Sequence, residues 1–275
     1  MKRKLLLVHA HPDDESITTG GAIARYAAEG ADVFLVTCTL GEEGEIVPPR
    51  LARLAAGEAD QLGGYRYGEL SAACAALGVT RHEYLGGIGR WRDSGMAGTP
   101  AAGHPRAFTA GSRAAQTVQL RALIEELAPQ VVVTYDAFGG YGHPDHIRAH
   151  EITMAATEDA PSVARVFHVV QSTAALADGL AELRADDTSP FRVPADDELP
   201  SVPDEKIATA LDISAHLPAK LAALRAHETQ LTVTDGAVVH FALTNSIAQP
   251  LGRAEHFVLA RGDADGAATD LFGGL

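Results

Sequence analysis

The chain has 275 residues, 46% of them apolar and 21% charged, with a formal charge of −14 at pH 7. These values describe a globular protein with a sizeable core and exclude a disordered chain, a collagen-like repeat and a coiled coil. The acidic balance argues against a nucleic-acid partner or an anionic membrane surface, which need clustered Lys and Arg. No apolar run approaches the roughly 18 residues of a membrane span. The N-terminal MKRKLLLVHAHPDD starts like a signal peptide, but its apolar part is too short, and HPDD stands where a cleavage site would belong. Cys38 and Cys74 are too few for a disulfide framework. The expectation is a soluble, cytoplasmic protein.

In chain order, Lys4–His9 reads as a buried strand. Ala22–Glu29 follows as a short helix closed by Gly30, with Thr18-Thr19-Gly20-Gly21 leading into it. Asp32–Thr39 is a second strand, followed by the loop GEEGEIVPP. Residues 51–77 carry helical spacing, weakened at Gly63-Gly64. A short strand at His82–Leu85, a long loop over 86–113, a helix at Thr117–Leu127 and the strand Gln130–Tyr135 come next. Helix is then expected from about Pro144 to Glu158 and strand at Arg165–Val170. Residues 178–205, rich in Asp, Pro and Glu, read as a surface excursion. They are followed by strand 206–213, a helix from about Pro218 to Gln230 and strand His256–Ala260. This alternation predicts an α/β fold: a Rossmann-like, mostly parallel sheet with helices on both faces. It forms one domain, with a core at 1–170 and a smaller C-terminal extension at 171–275.

Two segments carry chemistry. His11-Pro12-Asp13-Asp14-Glu15 follows the first strand, and Gly139-Gly140-Tyr141-Gly142-His143-Pro144-Asp145-His146 follows QVVVTY. In an open α/β sheet, ligands bind beyond the carboxyl ends of strands where the strand order reverses. If the first three strands wind to one side and the fourth begins the other half, the two loops meet there. His11, Asp14 and His146 then form a His₂Asp set suited to Zn²⁺, with Fe²⁺ fitting the same donors. Asp13 stands beside the ion as the carboxylate that takes a proton from water and delivers it to a leaving amine. His143 and Tyr141 are placed to stabilise an oxyanion, and Asp145 to orient His143 and keep it protonated. Read alone, HPDD also fits an Asx turn and helix N-cap, and HPDH a helix start with Pro144 at the first position. His150, four residues after His146, is a rival ligand. No G-x-G-x-x-G follows the first strand, and no P-loop or G-x-S-x-G elbow occurs.

At VHAHPDDES (8–16) and GGYGHPDH (139–146) the sequence resembles the LmbE-type N-acetylglucosaminyl deacetylases. TCTLGEEGE (37–45), DQLGGYRYGEL (60–70), YLGGIGRWRDSGMAGT (84–99) and VVVTYD (131–136) are similar to the members of that family that act in mycothiol biosynthesis. The resemblance is dense from residue 4 to about 158, thins over 159–205 and returns weakly afterwards. It implies a zinc amidohydrolase, one ion per subunit, that removes acetate from N-acetylglucosaminyl-inositol. It implies the ligands His11, Asp14 and His146, Asp13 as general acid/base, and Tyr141, His143 and Asp145 as assisting groups. It further implies substrate contacts from Arg66, Asp93, Glu45 and Met96. The alternatives are a sibling amidase acting on mycothiol S-conjugates and, from another class, a non-catalytic sugar-binding or nucleotide-binding Rossmann-like protein.

Overall fold

Five strands run parallel: β1 (Lys4–His9), β2 (Asp32–Thr37), β3 (Arg81–Tyr84), β4 (Val131–Thr134) and β5 (Arg165–Val170). The computed structural model describes residues 2–275. Strands β6 (Thr209–Asp212) and β10 (Ala254–Arg261), both from the C-terminal extension, complete a seven-stranded sheet in the order β3-β2-β1-β4-β5-β10-β6. β10 is antiparallel to both of its neighbours.

Successive side chains of a strand face opposite sides, so the continuous apolar runs of β1, β2 and β4 need cover on both faces. Leu5, Leu7, Val33, Leu35, Val131 and Val133 bury against one set of helices. These are α1 (Asp14–Ala28), α2 (Leu62–Leu77) and α7 (Leu217–Ala226). Leu6, Val8, Phe34, Val36 and Val132 bury against the other set, α3 (Arg113–Leu127) and α5 (Pro144–Ala156). The one-turn α4 (Gly139–Gly142) precedes α5. Because β1 lies between β2 and β4, the expected reversal of strand order is present, and the two polar loops leave adjacent strand ends. Among the described residues no helix is long and apolar enough to cross a membrane.

The differences from the sequence expectations lie mostly at glycines and in the extension. α1 starts at Asp14, so Thr18–Gly21 lies inside the helix. α2 starts only at Leu62, which puts Gly63 and Gly64 in its first turn, and Pro49–Leu54 forms a separate 3₁₀ turn. α3 starts at Arg113, where the Ser112 hydroxyl accepts the Ala115 N–H as an N-cap. The supposed excursion at 178 begins inside a helix, α6 (Thr173–Ala185), which buries Leu176, Leu180 and Leu183. α7 ends at Ala226. A second, antiparallel sheet not expected from the sequence follows it: β7 (Leu231–Val233), β8 (His240–Leu243) and β9 (Ala248–Pro250).

The glycines inside α1 have a packing reason. A Cβ on Gly21 would sit 2.5 Å from Cδ1 and 2.6 Å from Cβ and Cγ2 of Ile213, just past β6. Helix α1 thus closes on the extension at a distance only glycine permits. Gly21→Ala is expected to destabilise the protein by about 1–3 kcal/mol through overpacking, despite the helix propensity of Ala. Denaturant unfolding checks this, and an unchanged or raised midpoint would show that the contact relaxes freely.

Candidate metal centre and active site

The loop after β1 turns into α1 through Asp13, whose φ of 114° and ψ of −34° are rare for an L-residue and cost on the order of 1–3 kcal/mol. An Asp at a helix N-cap ordinarily turns its carboxylate onto the first-turn N–H groups. Asp13 makes no such bond. Its carbonyl takes the Ser16 and Ile17 N–H groups at 3.0 and 2.9 Å, and its own N–H donates to Glu15 Oε2 at 3.0 Å. The carboxylate is left for Arg66, whose Nη2 donates to Asp13 Oδ2 at 2.9 Å and also to the Pro12 carbonyl. The capping reading of HPDD therefore does not describe this Asp. HPDH, by contrast, is also a helix start: Pro144 opens α5, and the Asp145 N–H donates to His143 Nδ1 at 3.2 Å.

Three acceptors converge between the loops. His11 Nδ1 lies 3.3 Å from His146 Nε2, Asp14 Oδ2 lies 3.5 Å from His11 Nδ1, and Asp14 Oδ1 lies 3.4 Å from His146 Nε2. The opposite ring nitrogens have acceptors of their own: His146 Nδ1 donates to the Gly139 carbonyl at 3.1 Å and His11 Nε2 to Asp145 Oδ2 at 3.3 Å. Those bonds put lone pairs on the two nitrogens that face each other, the tautomers a metal-ligating histidine takes. Ligands on a tetrahedral ion with bonds of about 2.1 Å stand roughly 3.4 Å apart. The observed separations are of that size, with a different Asp14 oxygen nearest each ring nitrogen, so the donor set fits a divalent cation. His11 also clusters with His143 and His146, and with Asp93 and Asp145, as potential ligand groups.

Tyr135, within the VVVTYD segment but given no role by the sequence pattern, completes the support. Its hydroxyl donates to Asp14 Oδ2 at 2.7 Å and accepts the Ala10 N–H at 2.8 Å. Its ring stacks on His146, with centroids 4.1 Å apart. His150 is directed elsewhere: its Nδ1 bonds the Tyr135 carbonyl and its ring meets His168 edge-on.

The electrostatics follow from burial and crowding. Burial works against a charged His11, but the carboxylates of Asp93, Asp14 and Asp145 raise it well above the usual imidazole value, so its Nδ1 proton must leave before that nitrogen can ligate a cation. Burial works against ionised Asp14, yet His146 and His11 hold it well below the usual carboxylate range. Burial pushes Asp13 up to about 7, against the pull of Arg66 and with the help of Asp14. Burial and the neighbouring His11 and His146 draw His143 down to about 3.

His143 is therefore neutral rather than protonated. With Nδ1 accepting from the backbone, its proton sits on Nε2. The Asp145 carboxylate does not orient His143; it takes His11 Nε2 and the Ser94 N–H, the latter at 2.9 Å. Asp93 likewise leans on the centre, with Oδ1 at 3.5 Å from His11 Nε2 and 2.8 Å from the Gly95 N–H. Arg66 is buried and also holds the Gly41 carbonyl at 2.8 Å, so its guanidinium is occupied by the loop that carries Asp13. A cleft of about 1050 Å³ opens above the centre, and Glu45, Met96, Tyr141 and His143 border it together with Arg66 and Asp93. Its far wall comes from the extension and includes Phe241, Leu243, Ile247 and Leu251. Nothing in the sequence pattern pointed to that wall.

Comparison with known proteins gives a consistent picture. The family described as PIG-L, GlcNAc-PI de-N-acetylase, matches residues 6–157. A 1D-myo-inositol 2-acetamido-2-deoxy-alpha-D-glucopyranoside deacetylase of Actinosynnema mirum is 63% identical, covering 99% of this chain and 97% of its own. The protein of the same name from Saccharomonospora viridis is 61% identical over 98% of this chain and all of its own. Among solved structures, the A40926 pseudoaglycone deacetylase Dbv21 superposes with a TM-score of 0.57 at 19% identity, covering 94% of this chain and 97% of that one, a likeness of fold.

Tyr135→Phe keeps the ring stacked on His146 and removes the donor to Asp14. The cation affinity, measured by chelator competition, is expected to fall about 10- to 100-fold. An affinity equal to wild type would show that the His11 backbone N–H, which donates to the same Asp14 oxygen at 2.8 Å, orients the carboxylate without Tyr135.

Proposed function

The chain belongs to the PIG-L family of de-N-acetylases, and from that membership we propose that it is a metal-dependent hydrolase acting on 1D-myo-inositol 2-acetamido-2-deoxy-alpha-D-glucopyranoside, releasing acetate in mycothiol biosynthesis. The observation that carries the chemistry is the convergence of the His11, Asp14 and His146 lone pairs beside a carboxylate that does not serve its helix. Those three residues hold the cation, Zn²⁺ by donor type, with Fe²⁺ fitting the same set. When bound, such an ion supplies Lewis acidity that polarises an amide carbonyl and acidifies water.

The chain's own groups do the rest. Asp13 takes the proton of the attacking water as the new C–O bond forms on the acetamide carbon. The His143 Nε2–H donates to the carbonyl oxygen as it gains charge, and the Tyr141 hydroxyl stands at the same mouth of the cleft. Asp13 then returns the proton to the nitrogen, the C–N bond breaks, and acetate and the free amine leave. Asp145 and Asp93 hold the His11 ring in its tautomer, and Arg66 holds the Asp13 carboxylate. Glu45, Met96 and Asp93 border the space for the sugar and inositol, and the carboxylates suit vicinal hydroxyls. A second reading, hydrolysis of a bulkier amide such as a mycothiol S-conjugate, is favoured by one feature only, the apolar far wall of the cleft. Comparing turnover of the two substrates decides between them, and a preference for the conjugate would overturn the first.

Asp13→Asn is expected to slow acetate release by about 10²- to 10⁴-fold with the ion retained. A rate near wild type would remove Asp13 from the mechanism. Chelation is expected to abolish acetate release and re-addition of Zn²⁺ or Fe²⁺ to restore it, whereas full activity in the chelated enzyme would exclude the metal.

Burial sets Asp13 at about 7 and a bound cation draws it lower, so kcat/KM is expected to be lost on acidification below about pH 7 as the base is protonated. Arg66 lowers the Asp13 value, so Arg66→Met is expected to move this acidic limb to higher pH. A limb that stays in place or moves down would separate Arg66 from Asp13.

A further inference from the structure

Each residue of the turn after α7, 227–230, is bonded to α1, to α2 or to the loop that carries Glu45. Thr229 donates to Glu69 through its N–H and hydroxyl at 2.8 and 2.7 Å, and its carbonyl accepts the Val47 N–H at 2.8 Å. Gln230 Nε2 donates to the Glu45 carbonyl at 3.1 Å, and Glu228 accepts from the Tyr65 hydroxyl at 2.5 Å. His227 reaches deepest, its Nε2 meeting Glu15 Oε1 at 2.8 Å with both side chains fully buried. The other Glu15 oxygen accepts the N–H of Asp13. A continuous chain of bonds thus runs from the C-terminal extension to the one residue of the active site held in a rare backbone conformation.

Backbone of this kind persists only where its surroundings over-determine it. Releasing the Asp13 N–H would free its peptide plane and swing the carboxylate from its line onto the substrate. Replacing this histidine alone would leave the buried Glu15 carboxylate without its counter-charge, so the pair also supports the fold, and its effect on the reaction is read in kcat. Its Nδ1 is buried without a partner, so all of its bonding is directed through Nε2 to Glu15. The bonds of Thr229 and Gln230 already anchor the turn without it.

We propose that His227 is a positioning residue for the deacetylation: acting through Glu15, it pins the Asp13 backbone and aims the Asp13 carboxylate. The proposal rests on the reading of Asp13 as general base. The test uses the full-length, metal-loaded enzyme and measures kcat, KM, metal content and thermal midpoint. His227→Leu fills the space without a donor, and His227→Gln returns an N–H near the reach of Nε2. The expected result is a kcat lowered at least about tenfold in the Leu variant with KM within about twofold, which marks loss of an interaction realised in the transition state. Metal content is expected to be unchanged and kcat in the Gln variant to return to within about threefold of wild type. A wild-type kcat in the Leu variant, a fall of both variants together, or a loss that follows metal content or thermal midpoint would overturn the proposal. Should the Leu variant not fold, His227→Asn takes its place: its shorter amide is expected to lose the activity that Gln retains, and equal rates for the two would overturn the proposal. Asp13→Asn separates this inference from the reading beneath it. A wild-type rate in that variant defeats the general-base assignment itself. An inactive Asp13→Asn beside an unaffected His227→Leu defeats only the role of His227. If both are impaired, adding His227→Leu to Asp13→Asn is expected to cause no further loss of kcat, and an additive loss would place the action of His227 elsewhere.

Discussion

Lone pairs that face one another across 3.3–3.5 Å need positive charge between them, and most of the local structure around His11, Asp14 and His146 answers that need. The Gly139 carbonyl and the Asp145 carboxylate fix the outer ring nitrogens as donors, so the inner ones are free to ligate. Tyr135 fixes the Asp14 carboxylate and stacks on one of the rings. Asp93 and Asp145 crowd further negative charge around His11. Such a cluster is costly to bury unless the charge is compensated. It sits at the carboxyl edge of the sheet, outside the two apolar layers that hold β1 and β4 in place.

The parts of the fold visible in the sequence are those where local and global demands agree. β1, β2 and β4 are apolar runs flanked by turn-formers, and they are buried on both faces in the structure. The centre was visible for the opposite reason: imidazole and carboxylate directly after such a run contradict burial unless they serve a site. α6 was hidden because Asp178 and Gly179 interrupt a helical pattern that already carries Leu176, Leu180 and Leu183. The start of α1 was hidden because Gly20 and Gly21 read as a break, whereas tight packing against Ile213 and Lys220 selects them.

Site assignments drifted where proximity in the chain stood in for direction in space. Asp145 and His143 are two residues apart, but positions i and i+2 at a helix start do not face each other. The backbone of Asp145 serves His143 while its carboxylate crosses to His11, 134 residues away. Arg66 and Asp93 have the chemistry of sugar-binding groups and do border the cleft, but Arg66 also bonds the Asp13 carboxylate and Asp93 also meets the His11 ring. Tyr135 and Glu15 lie inside the quoted segments VVVTYD and HPDDE, but nothing in the pattern gave either a role, since a buried tyrosine and a first-turn glutamate are common where no chemistry occurs.

The division of labour between the two halves of the chain follows from this geometry. Every group assigned to bond-making and proton transfer lies between His11 and His146, on loops of the parallel sheet. The outer wall of the cleft belongs to the extension, through β8, β9 and the residues just after them. The first half thus holds the motifs of the reaction and one wall of the cleft, through Glu45, Asp93 and Met96, while the extension adds the other wall. The extension is nonetheless not a detachable lid. β6 and β10 are strands of the main sheet, α7 packs under α1 and α2, and the turn after α7 reaches the loop that carries Asp13. A change in the extension that reshapes the cleft thus acts on a body continuous with the catalytic centre, which ties the evolution of specificity to the geometry of Asp13.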